Sequence, residues 1–149
     1  MSIADTLQED MKAALKAGSK LELGALRMAI AAIRRQEIDS RSQLSDEGVL
    51  GVLQKLIKQG RDSEQQFESA GRADLAAKEA GEIAVFERYL PQALGPDELE
   101  ALIRSVIAAT GAQGVRDMGK VMAAVKSEAA GRADMGAVSG RVREILSAL

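Results

Sequence analysis

Apolar positions recur every three or four residues along nearly the whole chain, the spacing of helices with one buried face. Ile3, Leu7, Met11 and Leu15 form a first stripe. It starts after Ser2, with Asp5 three residues on, a capping-box pattern, and Gly18 closes it. Leu23, Leu26, Ile30 and Ile33 form a second, expected to fade near Ser40. Ser45, followed by Asp46 and Glu47, is a helix start with acids at the positive end of the helix dipole. From there Val49, Leu53, Leu56, Gly60, Glu64 and Phe67 run to Gly71. Gly60 on that face marks either a close approach of a neighbouring helix or a bend. Leu75, Ile83, Phe86 and Leu90 complete the fourth stripe.

The segment 91–96, PQALGP, holds both prolines of the chain, and Pro96 before Asp97 and Glu98 suits the first position of a new helix. It marks the expected boundary between residues 1–90 and 91–149. Beyond it, Leu99, Leu102, Ile103, Val106 and Ile107 predict one short helix, Met118, Val121, Met122 and Val125 a second, and Met135, Val138, Val142, Ile145 and Leu149 a third. The expected fold is all-α, an N-terminal bundle of about four helices followed by a small C-terminal three-helix domain.

Composition narrows the chemistry. Aromatic residues make up 2% of the chain (Phe67, Phe86 and Tyr89), so the core must be aliphatic and alanine-rich, which favours helix over strand. Cysteine and histidine are absent, which removes disulfides, thiolate nucleophiles, histidine bases and zinc fingers. No catalytic residue set, metal site or cofactor is expected. Gly119-Lys120 invites comparison with a phosphate-binding loop, but Val121 stands where that loop needs a hydroxyl and no strand precedes it. The N-terminus lacks the basic-then-apolar pattern of a signal peptide, and no apolar run approaches the roughly 18 residues of a membrane span, so a soluble, cytoplasmic protein without membrane association is expected.

Net charge is −2, with no global attraction to nucleic acid. Locally the balance shifts. Between Arg116 and Arg143 six bases face three acids, and Arg116, Lys120, Lys126, Arg132, Arg141 and Arg143 are the candidate nucleic-acid-binding residues. With few aromatics to stack on bases, any such binding would read phosphate and shape. Lys20, Arg27, Arg34 and Arg41 fall at intervals of seven and align if one helix covers them; their stems then either cover the core edge or present charge to a ligand. Gly71-Arg72-Ala73-Asp74 recurs as Gly131-Arg132-Ala133-Asp134, either a repeated corner between helices or a way of presenting an arginine to a ligand.

Several stretches carry a family likeness. Leu26-Arg27-Met28 with Ala31-Ala32-Ile33, Leu53-Gln54-Lys55, the run Gln66 to Leu75, Tyr89-Leu90-Pro91 and Asp117 to Met122 resemble the YqeY-like family (the GatB/YqeY domain), in order over almost the whole chain. Gly119-Lys120-Val121-Met122 and the Gly131–Asp134 corner are similar to the tail domain of the B subunit of tRNA-dependent Asp/Glu amidotransferases, related to tails fused to some glutaminyl-tRNA synthetases. The resemblance implies an all-α, two-domain protein whose second domain handles tRNA, with Lys120 and Arg132 as the positions carried over. It implies a non-catalytic tRNA-binding or tRNA-enzyme accessory module, with an aminoacyl-tRNA synthetase or amidotransferase as partner. A helical protein-interaction module without RNA is the first alternative. Carbon–nitrogen ligation with glutamine as amide donor, inherited from the larger relative, is the second; the amidotransferase's activating cradle and glutaminase have no counterpart in this chain.

Overall fold

A computed structural model describes residues 1–149, all seven long elements being α-helices. The chain divides into two compact units, Met1–Leu90 and Pro91–Leu149.

Unit 1 contains α1 (Ile3–Ala17), α2 (Lys20–Ser40), α3 (Asp46–Ser69) and α4 (Ala73–Glu87). Local chemistry sets the ends. Ser2 Oγ accepts the Asp5 N–H at 3.1 Å while Asp5 Oδ2 accepts the Ser2 N–H at 3.3 Å, a reciprocal cap. Ser45 Oγ accepts from Gly48 at the start of α3, and Asp46 Oδ1 accepts the Ile3 N–H at 3.0 Å, so one acidic turn satisfies donors at two helix starts. Gly18 and Gly71 take the left-handed conformation that closes α1 and α3.

The core of unit 1 is aliphatic, built on Leu7, Ala25, Leu26, Ile30, Ile33, Val49, Leu53, Ile57 and Ile83, with Phe86 as its one buried ring. The first stripe fits only in part. Leu7 is buried but Leu15 is exposed, and Ala14 takes the inner position. Each four-residue step overshoots a turn by about 40°, so a run of such steps winds off the core face. Gly60 is a contact point: a Cβ there would lie 2.9 Å from Ile83 Cγ1, so α4 packs against the bare backbone of α3. Gly81 likewise admits Leu21, whose Cδ1 would lie 2.8 Å from an added Cβ. Tyr89 donates its hydroxyl to Asp10, and Arg88 pairs with Glu22 at 2.8 Å, tying the segment after α4 to α1 and α2.

Unit 2 contains α5 (Pro96–Thr110), a 3-10 turn (Val115–Asp117), α6 (Met118–Glu128) and α7 (Met135–Ser147) around Ile103, Val106, Val121, Val125, Val138, Val142 and Leu146. Pro96 occupies the first turn of α5, Gly111 and Gly131 take positive φ after α5 and α6, and Asp134 caps α7 by accepting the Ala137 N–H at 3.1 Å.

Two consequences are measurable. Gly60→Ala should destabilise the protein by about 1 kcal/mol, because overpacking against branched Ile83 outweighs the gain in helix propensity. Gly51→Ala, on the exposed side of the same helix with nothing within 4 Å, should stabilise it by about 0.5–1 kcal/mol; urea titration of both variants checks the pair. Glu82 is 8% exposed, and burial, reinforced by repulsion from Glu79, raises its carboxyl pKa. Stability held with a protonated Glu82 is therefore lost as pH rises through its native pKa. Glu82→Gln should raise the denaturation midpoint at pH 7, with the gain vanishing as pH drops below about 4.5, the ordinary glutamate value; melts at pH 4 and pH 7 test it.

Candidate nucleic-acid interface

The six cations of unit 2 fall into distinct environments. Arg141, half-exposed on α7, donates to Glu100 on α5 at 2.7 Å and to Glu144 at 2.8 Å, while Glu100 also accepts from Arg104 at 2.9 Å. Bonds from Arg104 and Arg141 hold the Glu100 carboxyl below the usual range, so the Arg141 charge is matched by carboxylates of its own unit. Arg132 is also engaged. Its Nε donates to the Gln92 carbonyl at 3.0 Å, its own carbonyl accepts the Leu94 N–H at 2.8 Å, and a guanidinium nitrogen lies 4.0 Å from Glu98. It fastens residues 92–94 to the corner between α6 and α7.

Arg116 and Lys120 share a neighbourhood. Asp117 Oδ2 accepts the Gln113 N–H at 2.8 Å; that bond, then Lys120 and Arg116 nearby, holds the Asp117 carboxyl low. Arg116 donates to Gln113 Oε1 at 3.4 Å, and Lys120 Nζ donates to the Thr110 carbonyl at 3.5 Å, at the negative end of α5. The side chains of Lys126 and Arg143 have no ion-pair partner, the Arg143 carbonyl accepting from Ser147 Oγ at 2.7 Å. Lys126 follows Lys120 by six residues, about 9 Å along α6 and turned about 120° around it. Arg141 and Arg143 flank the Val138–Val142–Ile145 stripe on opposite sides of α7. The structure thus places Arg116 and Lys120 beside Asp117, engages Arg132 and Arg141 in structural bonds, and leaves the Lys126 and Arg143 side chains without an ion pair.

The repeated Gly-Arg-Ala-Asp corners diverge. Arg72 pairs with Asp74 at 3.1 Å and α4 starts at Ala73, whereas Arg132 reaches residue 92 and α7 starts beyond Asp134. The glycine serves alike in both, at φ 73° and 72°.

A larger set of free cations lies in unit 1. α2 covers Lys20, Arg27 and Arg34, and Arg41 caps it, so the seven-residue series stands along one flank, drifting about 20° per step. None of these four, nor Arg35, has an acidic partner. Two of the three acids of α2 are used elsewhere: Glu22 holds Arg88 and Glu37 Oε2 accepts the Leu44 N–H at 2.8 Å, while Asp39 stands exposed near the end of the helix. Arg41 is the one non-glycine residue with positive φ, 55°. Surface depressions of unit 1 are open: one of about 460 Å³ among Ser19–Glu22, Ala84, Val85 and Arg88, another of about 570 Å³ beside Asp62, Gln65, Gln66, Ser69 and Ala70. No group of three or more acidic side chains is placed to share a metal ion.

The Yqey-like protein family model matches residues 4–146, through both units. Altered inheritance of mitochondria protein 41, mitochondrial, of Pyrenophora tritici-repentis is 30% identical over 145 residues, covering 95% of this chain and 80% of that protein. Its namesake in Kluyveromyces lactis is 37% identical over 105 residues, 68% of this chain and 56% of that protein. The Saccharomyces cerevisiae namesake is 34% identical over 95 residues, 63% and 51%. The chain thus spans about half the length of the yeast relatives it matches. These names correct the cytoplasmic expectation, since the curated relatives are called mitochondrial. That expectation rested on the missing signal-peptide pattern and missing apolar segments, which fit a helical protein of either compartment. No helix is long and apolar enough to cross a membrane.

Arg41→Gly should stabilise the protein by about 1 kcal/mol by relieving a left-handed side-chain-bearing residue. A higher guanidinium midpoint at unchanged slope is the expected result.

Proposed function

Because the chain belongs to the Yqey-like protein family, we propose that it is a tRNA-binding accessory module that holds RNA by its phosphates and works beside a tRNA-handling enzyme such as an aminoacyl-tRNA synthetase or amidotransferase. The observation carrying this reading is that Arg116, Lys120, Lys126 and Arg143 of unit 2 have no carboxylate within ion-pair distance. Phosphate contacts require only positive donors, and the resemblance of Gly119–Met122 to an amidotransferase tail directs the choice of polyanion toward tRNA. Within this reading Arg132 and Arg141 are structural ties that make no phosphate contact, one fastening the 92–94 segment and the other joining α7 to α5.

Gel-shift titration with tRNA tests the proposal. Binding in the micromolar range at low salt should weaken steeply as salt rises, and each phosphate contact removed should lower the salt slope by about one unit. Lys126→Glu with Arg143→Glu should weaken binding about tenfold or more, since two unpaired charges reverse. Arg141→Gln, at a charge already matched by Glu100 and Glu144, should change it little. Failure of micromolar protein to shift tRNA at low salt, or indifference to the double charge reversal, overturns the reading.

A further inference from the structure

The outer face of α2 gathers two surface features that unit 1 leaves unmatched. Opposite the buried Leu26–Ile30–Ile33 stripe runs an apolar seam of Gly24, Met28, Ala31 and Ile38, interrupted by Arg35 and bordered on its far side by Asp39. Ile38 is 74% exposed and Met28 43%, high values for large aliphatic side chains on a regular helix. Lys20, Arg27, Arg34 and Arg41 follow one edge of this seam, about 10.5 Å apart along the helix direction, without acidic partners. The last of them is kept where a glycine would be less strained: Gly18, Gly71, Gly111 and Gly131 occupy the other positive-φ positions.

We propose that this face docks an acidic amphipathic helix of a partner protein. Charge complementarity identifies the occupant: a cationic edge beside an apolar seam matches a helix with its own apolar stripe and a carboxylate flank. Gly24 has open space where a side chain would stand, and Ala31 lies seven residues on, so the incoming axis can approach to about 8 Å, the close end of helix packing. An RNA strand would use the cations but leave the seam wet, and the seam offers no aromatic ring for a base. A lipid surface would favour a broader apolar face, whereas Arg35 stands in line with this one. The inference goes beyond the tRNA reading and uses different residues.

The full chain, isotopically labelled, should be titrated with a synthetic helix-forming peptide bearing a Leu/Ala stripe flanked by glutamates. Comparison ligands are the same peptide with lysines on its flanks, tRNA, and phosphatidylcholine vesicles containing phosphatidylglycerol. The expected result is saturable binding of the acidic peptide with amide shifts centred on residues 24–38. Kd should rise about tenfold in Arg27→Glu/Arg34→Glu and again in Met28→Asp, with the lysine peptide inert. All three substitutions are at exposed sites, and unchanged circular dichroism verifies their folding. The proposal is overturned if the acidic peptide does not saturate, if the shifts fall off α2, or if Met28→Asp leaves Kd unchanged. It is equally overturned if tRNA or vesicles perturb residues 24–38 while the peptide does not. The tRNA result with Lys126→Glu/Arg143→Glu is read separately, so either reading can fail alone.

Discussion

The close approach of α4 to bare backbone at Gly60 of α3, and of Leu21 to the bare backbone of α4 at Gly81, is the constraint around which unit 1 is organised. A core with one buried aromatic ring cannot fill wide gaps between helices, so it closes them by bringing backbones together. Ile83 fills the place that a Gly60 side chain would take, and Leu21 does the same at Gly81. With α2, α3 and α4 held at short range, the short polar ties of Arg88 to Glu22 and Tyr89 to Asp10 fall within reach. The inward face of α2 is used up in this packing, which fixes what its outward face presents.

Electrostatics follow from where the acids are drawn. A chain of nearly balanced charge makes a basic surface by committing carboxylates to structural bonds. Glu22 and Glu37 are committed in this way and make no pair with the α2 cations, whereas Glu100 and Glu144 pair with Arg141. Local counts of bases and acids do not distinguish these outcomes, because one of the two partners of Arg141, Glu100, lies 41 residues away.

The helices and their stops were legible because they depend on near neighbours: Ser2 with Asp5, Ser45 with Gly48, Pro96 at the start of α5, glycines at the ends. Whether Gly60 marks a bend or a contact was not, since it depends on Ile83 in another helix. The seven-residue series showed that Lys20 to Arg41 would align, but not that Glu22 and Glu37 would be occupied elsewhere. Six bases in unit 2 looked alike in sequence. The reach of Arg132 to Gln92 and of Arg141 to Glu100 separates them, and only packing brings those groups together. The clearest hint passed over in sequence was Ile38, an aliphatic residue off the second stripe.

Tyr89 is the one tyrosine, tryptophan is absent, and the phenol donates to the carboxylate of Asp10 within unit 1. Ultraviolet emission from the polypeptide therefore originates in that unit alone, and release of the ring from its carboxylate acceptor alters the signal when the unit opens. Unit 2 is optically silent in this channel but contributes to the ellipticity of the helical backbone. The native chromophore thus separates the melting of one half from that of the whole without a label, and the two traces coincide only if both halves unfold in one cooperative step.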